Sequence, residues 1–453
     1  MLKRKAYERL LNWKRNRNGQ TALLIEGARR VGKSTLAEEF GKSEYRSVIT
    51  IDFSLVSKEF KELFSDLRTD LDEFFRYLSA IYQTPLYPRD SLIIFDEIQS
   101  FPTAREFIKR LVSDGRFDYI ETGSLLSIKQ NIEDILIPSE EESFRLNPLD
   151  FEEFLWALNE KNLSDLLNEH FLSMRPLPDV LHKRAMRRFR EYMLIGGMPH
   201  VVNEYLSTHS FEAADFEKRQ ILDLYRKDIG RFAKGYQDKV ISIIDEIPSQ
   251  LSTHEKRFKV SSLATNARMR NYEEAFFWLS DAQITNACFA STDPSIGLNL
   301  SRTKSSLKCY MADTGLLTTL ALSTGMVTSE DIYRNVLLGK IAINEGMLTE
   351  NIVAQSLVAK GEKLFFYSQT DTKNNKKRME IDFLLVRPFQ DAGNKPRVCP
   401  VEVKSTDRYT LASLDRFSET FGAKVGYEIV LHPKQIKQEG KRFYLPLYMA
   451  HLI

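Results

Sequence analysis

Residues 21–40, TALLIEGARRVGKSTLAEEF, leave the first part of the chain a narrow choice of folds. An apolar run ends at Glu26, the pattern G-x-x-x-x-G-K-S follows from Gly27 to Ser34, and an amphipathic stretch opens at Lys33. A strand, a glycine-bounded turn and a helix N-terminus in that order make a phosphate cradle. The glycines let the backbone N–H groups of Gly27, Ala28, Arg29, Arg30, Val31 and Gly32 approach a β-phosphate, and the helix dipole adds to their pull. Lys33 then spans the β- and γ-phosphates, and Ser34 offers a hydroxyl to Mg²⁺. Thr35 is expected at the α-phosphate. A glycine turn alone would match the pattern, but not its position between a buried strand and an amphipathic helix. The implied ligands are ATP and Mg²⁺.

SLIIFDEIQSF, residues 91–101, supplies the complement. Apolar Leu92 to Phe95 read as a buried parallel strand, which puts Asp96 and Glu97 at its C-terminal end, where such sheets bind ligands. Asp96 is expected in the Mg²⁺ shell, and Glu97 is expected to orient and polarise the attacking water. FDYIETGS, residues 117–124, reads as the next strand. Thr122 and Ser124 at its end either sense the γ-phosphate or cap the strand.

At 453 residues, with 43% apolar side chains, the chain has material for about three domains of roughly 150 residues each. Its 64 Lys+Arg against 62 Asp+Glu leave a formal charge of +2, so any attraction to nucleic acid must come from local patches. Cys288, Cys309 and Cys399 are odd in number and widely spaced. That suits neither a disulfide framework nor a zinc knuckle, and a cytoplasmic protein is expected. The basic N-terminus lacks the apolar core of a signal peptide, and no run approaches the length of a membrane span.

After Pro148 the pattern turns helical, and residues 148–235 read as a helical lid beyond a core of residues 1–147. Between residues 236 and 334, three short helices (VISIIDEIPSQL, VSSLATNAR, NYEEAFFWLSDAQI) followed by the strand-like ITNACFA and SLKCYMAD read as a winged helix. Arg257, Lys259, Arg268 and Arg270 lie around it and can meet phosphates, or the module serves only packing. The basic run Lys183, Arg184, Arg187, Arg188, Arg190 reads as a solvated helix face.

EGARRVGKSTL, LIIFDEIQ, YIETGS, FRLNPLDFEEFL, GGMP, KCYMADTGLL, GMLTENIVAQSL, EIDFLL and VEVKS, in that order, resemble the prokaryotic AAA-type ATPases that end in a domain of unknown function 4143. The resemblance runs through essentially the whole chain. It implies an α/β protein: a P-loop NTPase core, a helical lid, a winged helix and, over residues 335–453, an α/β domain similar to restriction-endonuclease-like nucleases. The corner Gly196-Gly197-Met198-Pro199 resembles the G-x-P element of signalling ATPases, in which the proline packs near the adenine; as a bare sequence it is equally a helix-ending turn. EESFRLNPL departs from the expected Gly-Arg before its strand, so no arginine finger is assigned.

The nuclease-like pattern asks for an acid on one strand and acid-x-lysine on the next. In EIDFLLV and VEVKS, strand period puts Glu380 with Asp382 on one face and Glu402 with Lys404 on another. Asp382, Glu402 and Glu350 would hold a second divalent ion, Mg²⁺ or Mn²⁺, and Lys404 would serve the attacking water. The bland counterpart is cross-strand charge pairing. The basic stretch KNNKKR, residues 373–378, would guide a phosphate backbone or form a solvated loop. The leading expectation is therefore a Mg²⁺-dependent ATPase acting on DNA. The alternatives are an ATP-controlled switch whose C-terminal domain is catalytically silent, or a C-terminal assembly surface; a homo-oligomer fits each of them.

Overall fold

The computed structural model describes residues 2–67, 70–101, 103–124, 140–253, 256–322, 327–341, 344–369, 379–390 and 393–453. The chain forms two compact units: Met1–Asn147 with the short segment Asp281–Gln283, and Pro148–Ser280 with Ile284–Ile453.

In the first unit, strands β1 (Ala22–Glu26), β2 (Ser47–Asp52), β3 (Ser91–Asp96), β4 (Asp118–Gly123) and β5 (Glu141–Arg145) lie in the order β2-β3-β4-β1-β5. Every neighbouring pair is parallel. A parallel sheet needs cover on both faces, so its strands are apolar on both sides. Leu24, Ile93 and Phe95 pack with Phe53, Phe64 and Phe107 on one face. Leu23, Ile25, Leu92, Ile94 and Ile120 pack on the other with Leu36 and Phe40 of the helix Lys33–Glu44. Because β4 lies between β1 and β3, its C-terminal end is flanked by the glycine-rich loop on one side and by Asp96 on the other.

The second unit begins with the helices Phe151–Ala157, Lys161–Ser173, Asp179–Ile195, Pro199–Thr208 and Phe211–Phe232. The helices Gln237–Ser252 and Glu273–Asp281 follow, but the helix expected from VSSLATNAR is reduced to single 3₁₀ turns at Val260–Ser262 and Met269–Asn271. Asn266 between them has φ 63°, a left-handed conformation that stops helix propagation.

Strands β6 (Thr285–Ser291) and β7 (Arg302–Met311) make an antiparallel hairpin. The hairpin does not stand alone: β6 pairs in parallel with β8 (Phe365–Gln369), which pairs with β9 (Met379–Ile381), giving the order β7-β6-β8-β9. One sheet therefore takes strands from both sides of residue 335, where the sequence suggests a domain boundary. A second, mixed sheet holds β10 (Phe383–Phe389), β11 (Lys395–Val403), β12 (Glu428–His432), β13 (Lys437–Glu439) and β14 (Arg442–Pro446) in the order β10-β11-β12-β14-β13. Leu384, Val398 and Val430 of this sheet pack on Leu414 and Phe417 of the helix Ala412–Phe421. The helix Glu345–Ala359 is buried on every side from Met347 to Leu357, and carries Glu350, Asn351 and Gln355 into the interior among its apolar residues.

The stretch KNNKKR lies outside the described residues. Cys288, Cys309 and Cys399 are buried free thiols. Among the described residues no helix is long and apolar enough to cross a membrane.

Candidate functional site

The loop after β1 turns tightly at defined points. Arg30 and Gly32 have φ 69° and 92°, and a Cβ on Gly27 would stand 2.8 Å from the Leu146 carbonyl, so only glycine fits there. Arg4 braces the loop, donating from Nη1 to the Val31 carbonyl at 3.2 Å and from Nη2 to the Asn147 carbonyl at 2.6 Å. Nothing in the sequence marks this arginine. Lys33 opens the helix with its side chain buried, and its Nζ donates to the carbonyls of Gly27 at 3.0 Å and Ala28 at 3.1 Å. The ammonium is thus carried back over the mouth of the loop. Arg29, Arg30 and Thr35 are exposed, while Val31 is buried under the turn.

Ser34 Oγ donates to Asp96 Oδ1 at 2.7 Å, which joins the helix start to the end of β3. Thr122, at the end of β4, donates to the same carboxylate oxygen. Ser124 lies two residues further on, beyond the strand. Glu97 has φ 50°, a left-handed kink just after β3, and its carboxylate accepts from the Gln99 side-chain amide. The kink turns Glu97 out of the strand register that buries its neighbours.

A second group of charges lies in the interior of the other unit. Glu350 accepts from Lys308 Nζ at 3.2 Å and also from Lys256 and Tyr310. Lys308 is fully buried and pairs further with Glu380 at 3.1 Å and Asp382 at 3.6 Å. Asp382 accepts the Val403 N–H at 2.9 Å, and Glu402 takes Lys404 as its partner at 2.6 Å.

Among the described residues no group of three or more His, Cys, Asp or Glu is arranged to hold a metal, so nothing here supports the second ion expected at Glu350, Asp382 and Glu402. The Lys308 ammonium stands among the carboxylates instead, and a divalent ion would meet its charge at close range. Lys404, expected to serve a water, is the counter-ion of Glu402. Lys308 and Tyr310 lie in the stretch KCYMADTGLL, which gives them no role of its own, and Lys256 lies in no motif; all three are far in sequence from the acids they meet.

Residues 19–155 match the family model described as an AAA domain. Residues 345–449 match a domain of unknown function, DUF4143, and residues 186–327 match another, DUF8612. The chain carries an AAA-type ATPase domain and a C-terminal DUF4143 domain. No curated protein matches it significantly. Among solved structures, a Walker-type ATPase of Pyrococcus abyssi is similar over 71% of this chain and 96% of its own, at 15% identity and a TM-score of 0.42. The ORC1 protein of Aeropyrum pernix in complex with DNA covers 71% of this chain and 93% of its own, at 10% identity and a TM-score of 0.26. A signal-transduction ATPase with a tetratricopeptide repeat sensor, from Pyrococcus horikoshii, covers 80% and 49%, at 13% identity and a TM-score of 0.27.

In these terms the DUF4143 acids Glu350, Glu380 and Asp382 are neutralised by lysines of the preceding segment, and Lys308 itself lies within the DUF8612 match. Burial alone would raise the Glu350 carboxyl, but Lys256 and Lys308 outweigh it and hold Glu350 down at about 2. Burial, followed by the charge of Asp382, pushes Glu402 up to about 8.

The Gly196–Pro199 corner lies in the same unit. Gly197 donates its N–H to Asp313 Oδ2 at 2.6 Å and accepts from the Leu149 N–H at 2.7 Å. A Cβ there would stand 2.1 Å from the Leu149 carbonyl, which explains the glycine. Pro199 begins the next helix at a position where a missing N–H costs nothing.

Proposed function

We propose that the chain is a Mg²⁺-dependent ATPase that couples the state of its nucleotide to its C-terminal region and acts on DNA. The observation that carries the ATPase reading is the meeting of Ser34 and Thr122 on one oxygen of Asp96, beside Lys33 at a helix N-terminus. Ser34 and Asp96 offer the hydroxyl and carboxylate oxygens that a hard divalent ion takes, and Mg²⁺ held there would neutralise charge developing on the phosphates. Lys33 and the loop N–H groups bind the β- and γ-phosphates. Glu97, turned out by its kink and oriented by Gln99, holds the attacking water and takes its proton as the water oxygen bonds to the γ-phosphorus. The bond to the β-phosphate oxygen breaks, and ADP and phosphate leave.

For DNA, the support is the exposed set Arg257, Lys259, Arg268 and Arg270 between the helix Gln237–Ser252 and the β6–β7 hairpin, an order compatible with a winged helix. A second reading is favoured by the Lys308 cluster: a DUF4143 domain whose acids Glu350, Glu380 and Asp382 are held by lysines of the preceding segment suits an ATP-controlled switch that binds a partner without cutting it. ATP turnover measured with and without single- and double-stranded DNA separates the two. Stimulation by DNA supports the first reading. Slow turnover indifferent to both DNAs, with tight nucleotide retention, supports the switch.

A further inference from the structure

The basic run from residue 183 to residue 190 has two faces, and only one of them is neutralised. Arg184 and Arg188, one helical turn apart, both pair with Glu160, at 3.0 Å and 2.6 Å, and Arg188 also pairs with Glu191. Lys183, Arg187 and Arg190 follow the i, i+4, i+7 phase of the same helix and so form a separate stripe. They are exposed, and among the described residues they have no ion-pair partner. All three line an open cleft of about 620 Å³, whose opposite wall brings Lys434, from the turn after β12. Asp407 is the acid on the rim, against four cations. The floor includes Met186 and Leu338, the latter 61% exposed and therefore an apolar surface left to solvent.

We infer that this cleft binds the phosphate backbone of DNA, and that it, rather than the Arg268–Arg270 region, is the chain's main nucleic-acid contact. The inference rests on the DNA reading proposed above. The charge balance of the cleft is the reason: the whole chain carries a formal charge of only +2, so four cations against one acid mark a local field that a polyanion would find. The stripe from Lys183 to Arg190 spans about 10 Å of helix axis, the rise of roughly three nucleotides in one strand of a B-form duplex. The apolar floor gives the bases of a frayed or single strand a surface to lie against. An acidic protein segment is the competing occupant.

The test is fluorescence anisotropy of the full chain with a labelled single-stranded oligonucleotide and with the matching duplex, at low and moderate salt. The variants are Arg187→Glu with Arg190→Glu, the milder Arg187→Gln with Arg190→Gln, and Arg268→Glu with Arg270→Glu, each checked for folding by circular dichroism. The cleft charge reversal should weaken binding roughly tenfold or more and lower the salt slope by about two, since two phosphate contacts are lost. The Gln pair should show a smaller loss in the same direction, and the Arg268/Arg270 pair should change affinity less than about twofold. Whether the single strand or the duplex binds more tightly identifies which form of DNA the cleft accepts. Normal binding by folded cleft variants, with loss in the Arg268/Arg270 pair, would overturn the cleft and leave DNA binding standing. No binding of either DNA by the wild-type chain would overturn both, and would turn the search toward an acidic protein.

Discussion

Lys308 and Glu350 meet at 3.2 Å in the interior of the second unit, both almost wholly removed from water, although they come from segments that match different family models. Removing one partner of a buried pair strands the other charge. Lys308→Met should therefore destabilise the second unit by about 3–5 kcal/mol, and the double variant with Glu350→Gln should recover a measurable part of that loss. Chemical denaturation followed by a probe in that unit gives the comparison. Equal stability of Lys308→Met and wild type would remove the structural role assigned to the pair.

The phosphate loop gives two variants with different signatures. Lys33→Ala should lose most ATP affinity, because the β- and γ-phosphates lose their charge partner. Glu97→Gln should keep nucleotide but hydrolyse it at least roughly a hundredfold more slowly, since the water loses its proton acceptor. Equilibrium binding of a labelled nucleotide alongside steady-state phosphate release distinguishes them. Equal retention by both variants would contradict these roles.

Thr122→Val keeps the volume of the side chain but removes its donor to Asp96. Asp96 then keeps the Ser34 contact alone, and turnover should fall about tenfold with little change in the melting temperature, the loss expected of one hydrogen bond that positions a charged group. The parallel variant Ser124→Ala should have the smaller effect. If Ser124→Ala is the more damaging, the structural assignment of Thr122 as the contact to Asp96 is not the functional one.

Glu402 predicts a pH dependence whose sign can be worked out. Its unfolded value lies near 4.5, whereas burial and Asp382 raise it to about 8 in the folded chain, with Lys404 and Lys308 partly opposing. The folded state therefore holds more protons between these limits, so stability is full below about 4.5 and is lost progressively as pH rises to about 8. Glu402→Gln cannot ionise and should show a flatter fall in melting temperature over that interval. Parallel slopes for variant and wild type would mean that Glu402 is already ionised in the folded chain.

Much of the nucleotide site was legible because its chemistry is local. Gly27 to Ser34 are contiguous, and Asp96 ends an apolar strand that periodicity reveals. The brace from Arg4 and the bond from Thr122 to Asp96 were not legible, since both depend on where a side chain points after distant parts of the chain have come together. In the C-terminal region the strand read through EIDFLLV is broken at Asp382, between β9 and β10 of different sheets, and Lys404 lies just past the end of β11, although Glu380 and Asp382 both reach Lys308 and Lys404 pairs with Glu402. Their partners were hidden. The type and spacing of the acids suit a metal as well as they suit an ammonium, and only the pairing of β6 with β8, which brings Lys308 alongside, distinguishes the two.

That pairing also bears on how such a chain can be rearranged over evolutionary time. β6 and β7 arise before residue 327, and β8 and β9 after residue 345, yet they share one hydrogen-bonded ladder. A recombination event between the two matched segments would leave β8 with an open edge and Glu350, Glu380 and Asp382 without Lys308. The two segments should accordingly be inherited as a single piece, and a lineage that carries one with a foreign version of the other should show compensating changes at positions 308, 350, 380 and 382.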